Sequence, residues 1–135
     1  MSKYKENQCD RLIQEIATMG RSQWSNRQAE CGHHNIRRGN LLWRWRLINI
    51  VPLTFEEHGM LHAGLLDPLK TWQKAFFQGK RNTTLEKYLQ GSGMIRDEFV
   101  EERYQYLKQV KADILSGKTT FEKVIENERA EYGAL

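Results

Sequence analysis

The spacing of apolar residues changes twice along this chain. Apolar residues recur every three or four positions over residues 5–19, which predicts a helix that Gly20 can stop. This period is lost over residues 21–46, where the segment ECGHHNI is suited to a short strand. The β-branched run LINIVPL at residues 47–53 predicts a second short strand that pairs with the first. The pattern therefore predicts a small hairpin after the first helix.

Helical patterns return after residue 53. Thr54 and Glu57 match a capping box, in which each side chain bonds the other residue's backbone amide, and this predicts a helix that runs to about Leu66. Further helices are predicted over residues 69–78, 84–90, 96–116 and 119–132. We therefore predict an α+β protein, mostly helical by residue count. Its N-terminal helix and strand–strand–helix core occupy residues 1–67, and a helical extension over 68–135 packs on the core or forms an oligomer contact, such as that of a homodimer.

Composition excludes several classes of protein. Apolar residues make up 39% of the 135 residues and aromatic residues 10%, which is enough for a hydrophobic core and excludes disorder of the whole chain. No apolar run approaches the roughly 18 residues that a membrane span needs. Two cysteines, Cys9 and Cys31, cannot form a disulfide framework or a four-cysteine zinc site. Because the N-terminal segment also lacks the features of a secretory signal, we expect a cytoplasmic protein without membrane association.

The basic residues are concentrated in one part of the chain. Between residues 21 and 53 there are six arginines and one acidic residue, Glu30, whereas residues 67–135 are nearly balanced, with twelve basic and eleven acidic residues. Arginine forms bidentate contacts with phosphate groups. The charge distribution therefore favours nucleic acid as the partner.

Four of these arginines lie between the two predicted strands: Arg37, Arg38, Arg44 and Arg46. The alternation in the segment WRWR, residues 43–46, would place two tryptophans on one face of an extended segment and two arginines on the other. We interpret the tryptophans as core residues and the four arginines as contacts to DNA phosphates. A solvated arginine face is the alternative, and nothing in the pattern predicts recognition of particular bases.

All four histidines fall within thirty residues of one another: His33, His34, His58 and His62. The last two stand four apart on a predicted helix, so their Cβ atoms are about 5–6 Å apart on one face, as metal ligands require. A polar helix face without a metal is the alternative. Neighbours on a strand point to opposite faces, so only one of His33 and His34 can join the helical pair. The other is free to accept a proton near neutral pH.

The order GHH (32–34), Asn49 and HGMLH (58–62) resembles the motif of the HNH endonuclease family, whose members have a ββα-metal fold. The segments CDRLIQEI, HHNIRRGNLLWRWRLINIVPL and EEHGMLHAG are similar to those of phage-type NinG-like recombination nucleases. The resemblance covers residues 9–70. It implies a small ββα-metal core between the N-terminal helix and the helical extension.

The resemblance also implies roles for individual residues. His33, His58 and His62 would bind one divalent metal ion (Mg, Mn, Ni or Zn), and no small-molecule cofactor is expected. The catalytic residues would be His34, the general base that deprotonates the attacking water, and Asn49, which would hold the hairpin and the base in register through backbone hydrogen bonds. The implied activity is metal-dependent hydrolysis of DNA phosphodiester bonds, in phage or prophage recombination.

The chain departs from the family pattern at its cysteines. Relatives often bind a structural zinc through two cysteine pairs; the second pair would fall at Thr54 and Glu57, and only Cys31 remains of the first. A zinc ribbon therefore cannot form. This loss favours a rival interpretation, a DNA-binding or assembly protein that keeps the HNH scaffold without cutting. A structural site made of all four histidines is a third alternative, which the strand geometry of His33 and His34 disfavours.

Overall fold

The computed structural model describes residues 2–135 and confirms a mostly helical α+β protein, with 60% of its residues in helices. In chain order the elements are α1 (Ser2–Ala17), β1 (Cys31–His34), α2 (Leu41–Arg44), β2 (Ile50–Leu53), α3 (Phe55–His62), α4 (Thr71–Phe77), α5 (Leu85–Ser92), α6 (Arg96–Leu115) and α7 (Phe121–Tyr132). Short 3₁₀ turns lie at Leu47–Asn49 and Lys80–Asn82. None of these helices is long and apolar enough to cross a membrane.

The alternation in WRWR, residues 43–46, predicts an extended segment between the strands, and this prediction is wrong. Asn40 accepts a hydrogen bond from the Leu42 amide (3.2 Å) and so caps the short helix α2, which contains Trp43. Trp43 and Trp45 are nonetheless both fully buried, which confirms the prediction that they are core residues. Because the segment is helical and then turns, its arginines are not confined to a single solvent face.

The core is built around the apolar face of α1. Its buried residues are Cys9, Leu12, Ile13, Ile16 and Ala17, and they join one hydrophobic cluster with α6 and the tryptophans. Helix α6 lies along α1 and contributes Phe99, Val100, Leu107 and Val110 to that cluster. The central residues of the apolar stripe on α6 are therefore covered within the chain.

The two strands form an antiparallel hairpin, in which His33 lies opposite Val51 and His34 opposite Ile50. A Cβ atom at Gly32 would lie 2.5 Å from Ile50 Cγ2 and 2.8 Å from Ala17 Cβ, so only glycine allows β1 to lie this close to α1. The Gln14 side chain accepts from the Gly32 amide (2.9 Å) and donates to the Gly32 carbonyl (3.1 Å). These contacts fix both histidines of β1 relative to the first helix.

Helix α3 begins with the predicted capping box. The Glu57 amide donates to Thr54 Oγ1 (3.2 Å), and the Thr54 amide donates to Glu57 Oε1 (2.8 Å). The Ser22 hydroxyl also donates to Glu57 Oε1 (2.6 Å), and Arg27 lies 3.5 Å from the other carboxylate oxygen. Glu57 is fully buried, so one carboxylate ties the start of α3 to the loop that precedes β1. His58 follows directly in this anchored turn.

We expect Glu57→Ala to lower the free energy of unfolding by about 2–4 kcal/mol. The capping box loses its second half, and two buried donors, the Thr54 amide and the Ser22 hydroxyl, lose their acceptor. The matched control is Glu56→Ala, which removes an exposed carboxylate from the same helical turn and should cost less than about 1 kcal/mol. Urea unfolding followed by circular dichroism measures both changes. Equal losses in the two variants would contradict the anchoring role of Glu57.

Candidate functional site

Three histidines from two different elements converge at one point. His33 Nδ1, on β1, lies 3.3 Å from His58 Nε2, on α3. His62 Nε2, one turn further along α3, lies 3.1 Å from the same His58 nitrogen. One ring nitrogen from each of the three histidines lies within 4.8 Å of the other two. We call this set of three side chains the histidine triad.

Two of the three nitrogen–nitrogen separations in the histidine triad are those of metal ligands. With Zn–N bonds of about 2.0–2.1 Å, tetrahedral ligand nitrogens lie about 3.3 Å apart, which matches the two short separations here. A fourth position would stay open for water or a phosphate oxygen. Imidazole nitrogen is a ligand that Zn, Ni, Cu and Fe bind more strongly than Mg does. The histidine triad could therefore hold one divalent ion.

The protonation states of the histidine triad also suit a metal. Burial first, and then the neighbouring imidazoles, lower the pKa of His33 to about 4. Burial and the nearby His62 ring likewise lower the pKa of His58. At neutral pH both rings are therefore uncharged. A metal ligand must present a lone pair, and a neutral imidazole ring has one, so neither ring has a positive charge to lose before an ion binds.

His34 points away from the histidine triad, as alternation along a strand predicts. Its Nε2 lies 3.1 Å from the backbone carbonyl oxygen of Arg44. A carbonyl oxygen can only accept, so Nε2 carries the proton and the neutral ring has its lone pair on Nδ1. Burial lowers the pKa of His34, although the Arg44 carbonyl opposes this effect. At neutral pH His34 therefore has an unprotonated nitrogen that can accept a proton.

His34 and the histidine triad line the same cavity, whose volume is about 590 Å³. Its other lining residues are Asp10, Gln14, Gly32, Arg37 and Arg38. The three candidate metal ligands and a candidate proton acceptor therefore border one cavity.

Asn49 is fully buried and does not line the cavity. Its Oδ1 accepts from the Ile36 amide (2.7 Å), and its Nδ2 donates to the carbonyls of Ile36 (3.0 Å) and Trp43 (3.2 Å). These bonds hold the chain just after His34 and just before Arg44, whose carbonyl orients His34. Asn49 is therefore a positioning residue that acts through the backbone.

The four arginines assigned to DNA have different environments. Arg37 and Arg38 are exposed and line the cavity, and Arg38 pairs with Asp10 (3.1 Å). Arg44 forms a bidentate pair with the same carboxylate, through Nε (3.0 Å) and Nη2 (2.7 Å). Its side chain is only 17% exposed, so most of its surface is already covered.

The assignment of Arg46 to DNA is wrong. Arg46 is buried, its Nε donates to the Leu42 carbonyl (2.9 Å), and its guanidinium lies 4.2 Å from the centre of the Tyr132 ring. A phosphate outside the protein cannot reach it. The extended alternation that placed Arg46 in solvent is broken by α2 and the turn that follows it.

Three residues near the site were missed by sequence reasoning: Asp10, Gln14 and Arg81. Asp10 orders Arg38 and Arg44, while Arg81 donates through Nη1 to the carbonyl of Asn35 (3.0 Å), the residue after His34. Each lies far along the chain from its partner. Asp10 and Gln14 fall in the segment CDRLIQEI, whose similarity to the family assigns them no role, and Arg81 lies outside the resemblance.

Comparisons of the chain with models of known protein families, with curated proteins and with solved structures found no match. The chemistry of the site is therefore inferred from the geometry of its own side chains and from the motif in the sequence.

Proposed function

We propose that this protein is a metal-dependent DNA endonuclease of the HNH type, which hydrolyses phosphodiester bonds in phage or prophage recombination. The observation that carries the proposal is the histidine triad, with ligand-like spacing, in one cavity with His34, whose Nδ1 is free to accept a proton. The proposal also rests on the resemblance of GHH, Asn49 and HGMLH to the HNH motif. Two cysteines without a disulfide are consistent with the cytoplasm as its location.

The residues would divide the reaction among them. A divalent ion bound by the histidine triad would supply Lewis-acid activation of the phosphate and stabilise the departing oxygen. His34 Nδ1 accepts a proton from the attacking water, while the Arg44 carbonyl keeps the ring oriented and is favourably placed for the positive charge that develops. Arg37 and Arg38 bind neighbouring phosphates at the cavity edge.

The missing zinc ribbon has a structural substitute in this proposal. The two positions where relatives carry their second cysteine pair hold Thr54 and Glu57, which cap α3. Ser22 and Arg27 add contacts to Glu57 from the loop before β1. Hydrogen bonds to one buried carboxylate thus join the segments that a structural zinc would join, and the triad needs only the single ion it binds itself.

Incubation with supercoiled plasmid and a panel of divalent ions tests the proposal. We expect nicked circles, and then linear molecules, in the presence of Mn, Ni, Zn or Mg, and no cleavage in excess chelator. Cleavage should return when a metal is added back beyond the chelator. DNA binding without cleavage by any ion would instead favour the rival function, a DNA-binding or assembly protein that retains the HNH scaffold.

A further inference from the structure

Two further depressions adjoin the cavity of the histidine triad. The first, of about 200 Å³, shares His33 with that cavity and is walled by Leu61, Leu66, Pro68 and the carboxylate of Asp67. The second, of about 700 Å³, shares Asn35 and Leu69 with the first and is lined by side chains of the helical extension, including Lys74, Gln78 and Arg81. We call these three adjoining depressions the groove; the cavity of the histidine triad lies at one end and the depression lined by Arg81 at the other.

The ends of the groove carry matching charges. Arg37 lines one end and Arg81 the other, and both are exposed. Within residues 2–135, neither guanidinium pairs with a carboxylate. Lys74, beside Arg81, is partly neutralised by Asp67 at 2.6 Å. Each end thus offers one unpaired arginine to an anion.

Two contacts to Asn35 restrict the side chain of Arg81 to one orientation. Its Nη1 donates to the Asn35 carbonyl (3.0 Å), and its Nη2 lies 3.4 Å from Asn35 Oδ1. These bonds fix the guanidinium near the chain that leaves His34, while Nε and the remaining hydrogens of the terminal nitrogens stay available to a ligand. A preordered arginine loses little further freedom when it binds a phosphate.

We infer that this groove binds one DNA strand on both sides of the phosphate to be cleaved, with Arg81 of the helical extension contacting the strand on the side opposite Arg37. The inference rests on the proposed function and names the path of its substrate. A small phosphate ester would occupy one depression, whereas a chain of phosphates can contact the arginines of both end depressions. The middle depression, where Asp67 is paired with Lys74, can take a sugar. A strand bound on both sides needs no free end, so bonds inside a closed circle are accessible.

Salt-dependent binding tests this path without requiring cleavage. The affinity of metal-free protein for a labelled DNA duplex, in chelator, is measured over a series of salt concentrations. Arg81→Ala should weaken binding several-fold and reduce the slope of log affinity against log salt by about 0.9, the value for one phosphate contact. Arg81→Lys keeps the charge and should retain most of that slope. The matched control is Lys87→Ala, which removes an exposed charge on α5 that lines none of the three depressions.

The outcomes separate this inference from the proposed function. If Arg81→Ala changes the DNA affinity and its salt slope no more than Lys87→Ala does, the inferred path of the strand is overturned. Cleavage by the wild type is not affected by that result. The expected loss in Arg81→Ala, together with no cleavage by the wild type under any ion, supports the path and overturns the endonuclease. No binding of DNA by the wild type overturns both. Because Arg37 and Arg81 lie at opposite ends, the slope changes of the two alanine variants should add in the double variant.

Discussion

Replacing His34 by alanine is expected to lower the rate of plasmid nicking by about 10²–10⁴-fold, the usual contribution of a general base. The variant loses the Nδ1 lone pair that accepts the proton of water, but it keeps all three nitrogens of the histidine triad. Its affinity for divalent ions and for DNA should therefore stay within about twofold of the wild type. Nicking assays, calorimetry and DNA binding on one preparation measure the three properties together.

A second substitution at the same position separates base chemistry from packing. His34→Gln retains an N–H donor for the Arg44 carbonyl but has no group that takes a proton near neutral pH. We expect it to be as inactive as His34→Ala, with the same stability as the wild type. Nicking near the wild-type rate in either variant would refute the assignment of His34 as the base.

The second large effect is expected for His58→Ala combined with His62→Ala. Only His33 then remains of the histidine triad. Removing a residue that merely supports a metal ligand costs about 10–100-fold in metal affinity, so removing two ligands should lower the affinity by more than about 100-fold. Cleavage should be lost with it. Wild-type protein should bind Ni and Zn more tightly than Mg, because imidazole is a poor ligand for Mg.

Calorimetric titration of the chelator-stripped protein measures this effect, and His34→Ala is its control. The control removes a histidine from the same cavity but none of the three ligands, so it should bind one ion per chain as the wild type does. Unchanged affinity in the double variant would show that the ion binds elsewhere. Circular dichroism of both variants establishes that the helices are retained.

The elements of this fold that the sequence predicts well have local causes. The capping box of Thr54 and Glu57 involves residues three apart, and α3 starts where it predicts. The different directions of His33 and His34 follow from strand alternation and are present in the structure. The spacing of apolar residues along a helix is also a local pattern, and it predicts α1, α6 and α7 to within a few residues at each end.

The errors come from partners that are distant in the sequence. Arg44 is engaged by Asp10, 34 residues earlier in the chain, and Arg46 is covered in part by Tyr132 near the C-terminus. A local sequence pattern cannot predict such long-range contacts, and from the sequence alone the four arginines are interpreted as one phosphate-binding surface. The position of Arg81 beside Asn35 cannot be predicted from a local pattern for the same reason, because only the folded chain brings the helical extension to this point.

The ligand set itself is the central claim, and anomalous diffraction from crystals soaked with Zn tests it most directly. Data collected at the zinc absorption edge should show one strong peak per chain, about 2.0–2.1 Å from His33 Nδ1, His58 Nε2 and His62 Nε2. His34 should lie outside the coordination sphere, with Nε2 still on the Arg44 carbonyl. No peak within the histidine triad, or a peak with His34 as a ligand, would contradict the account.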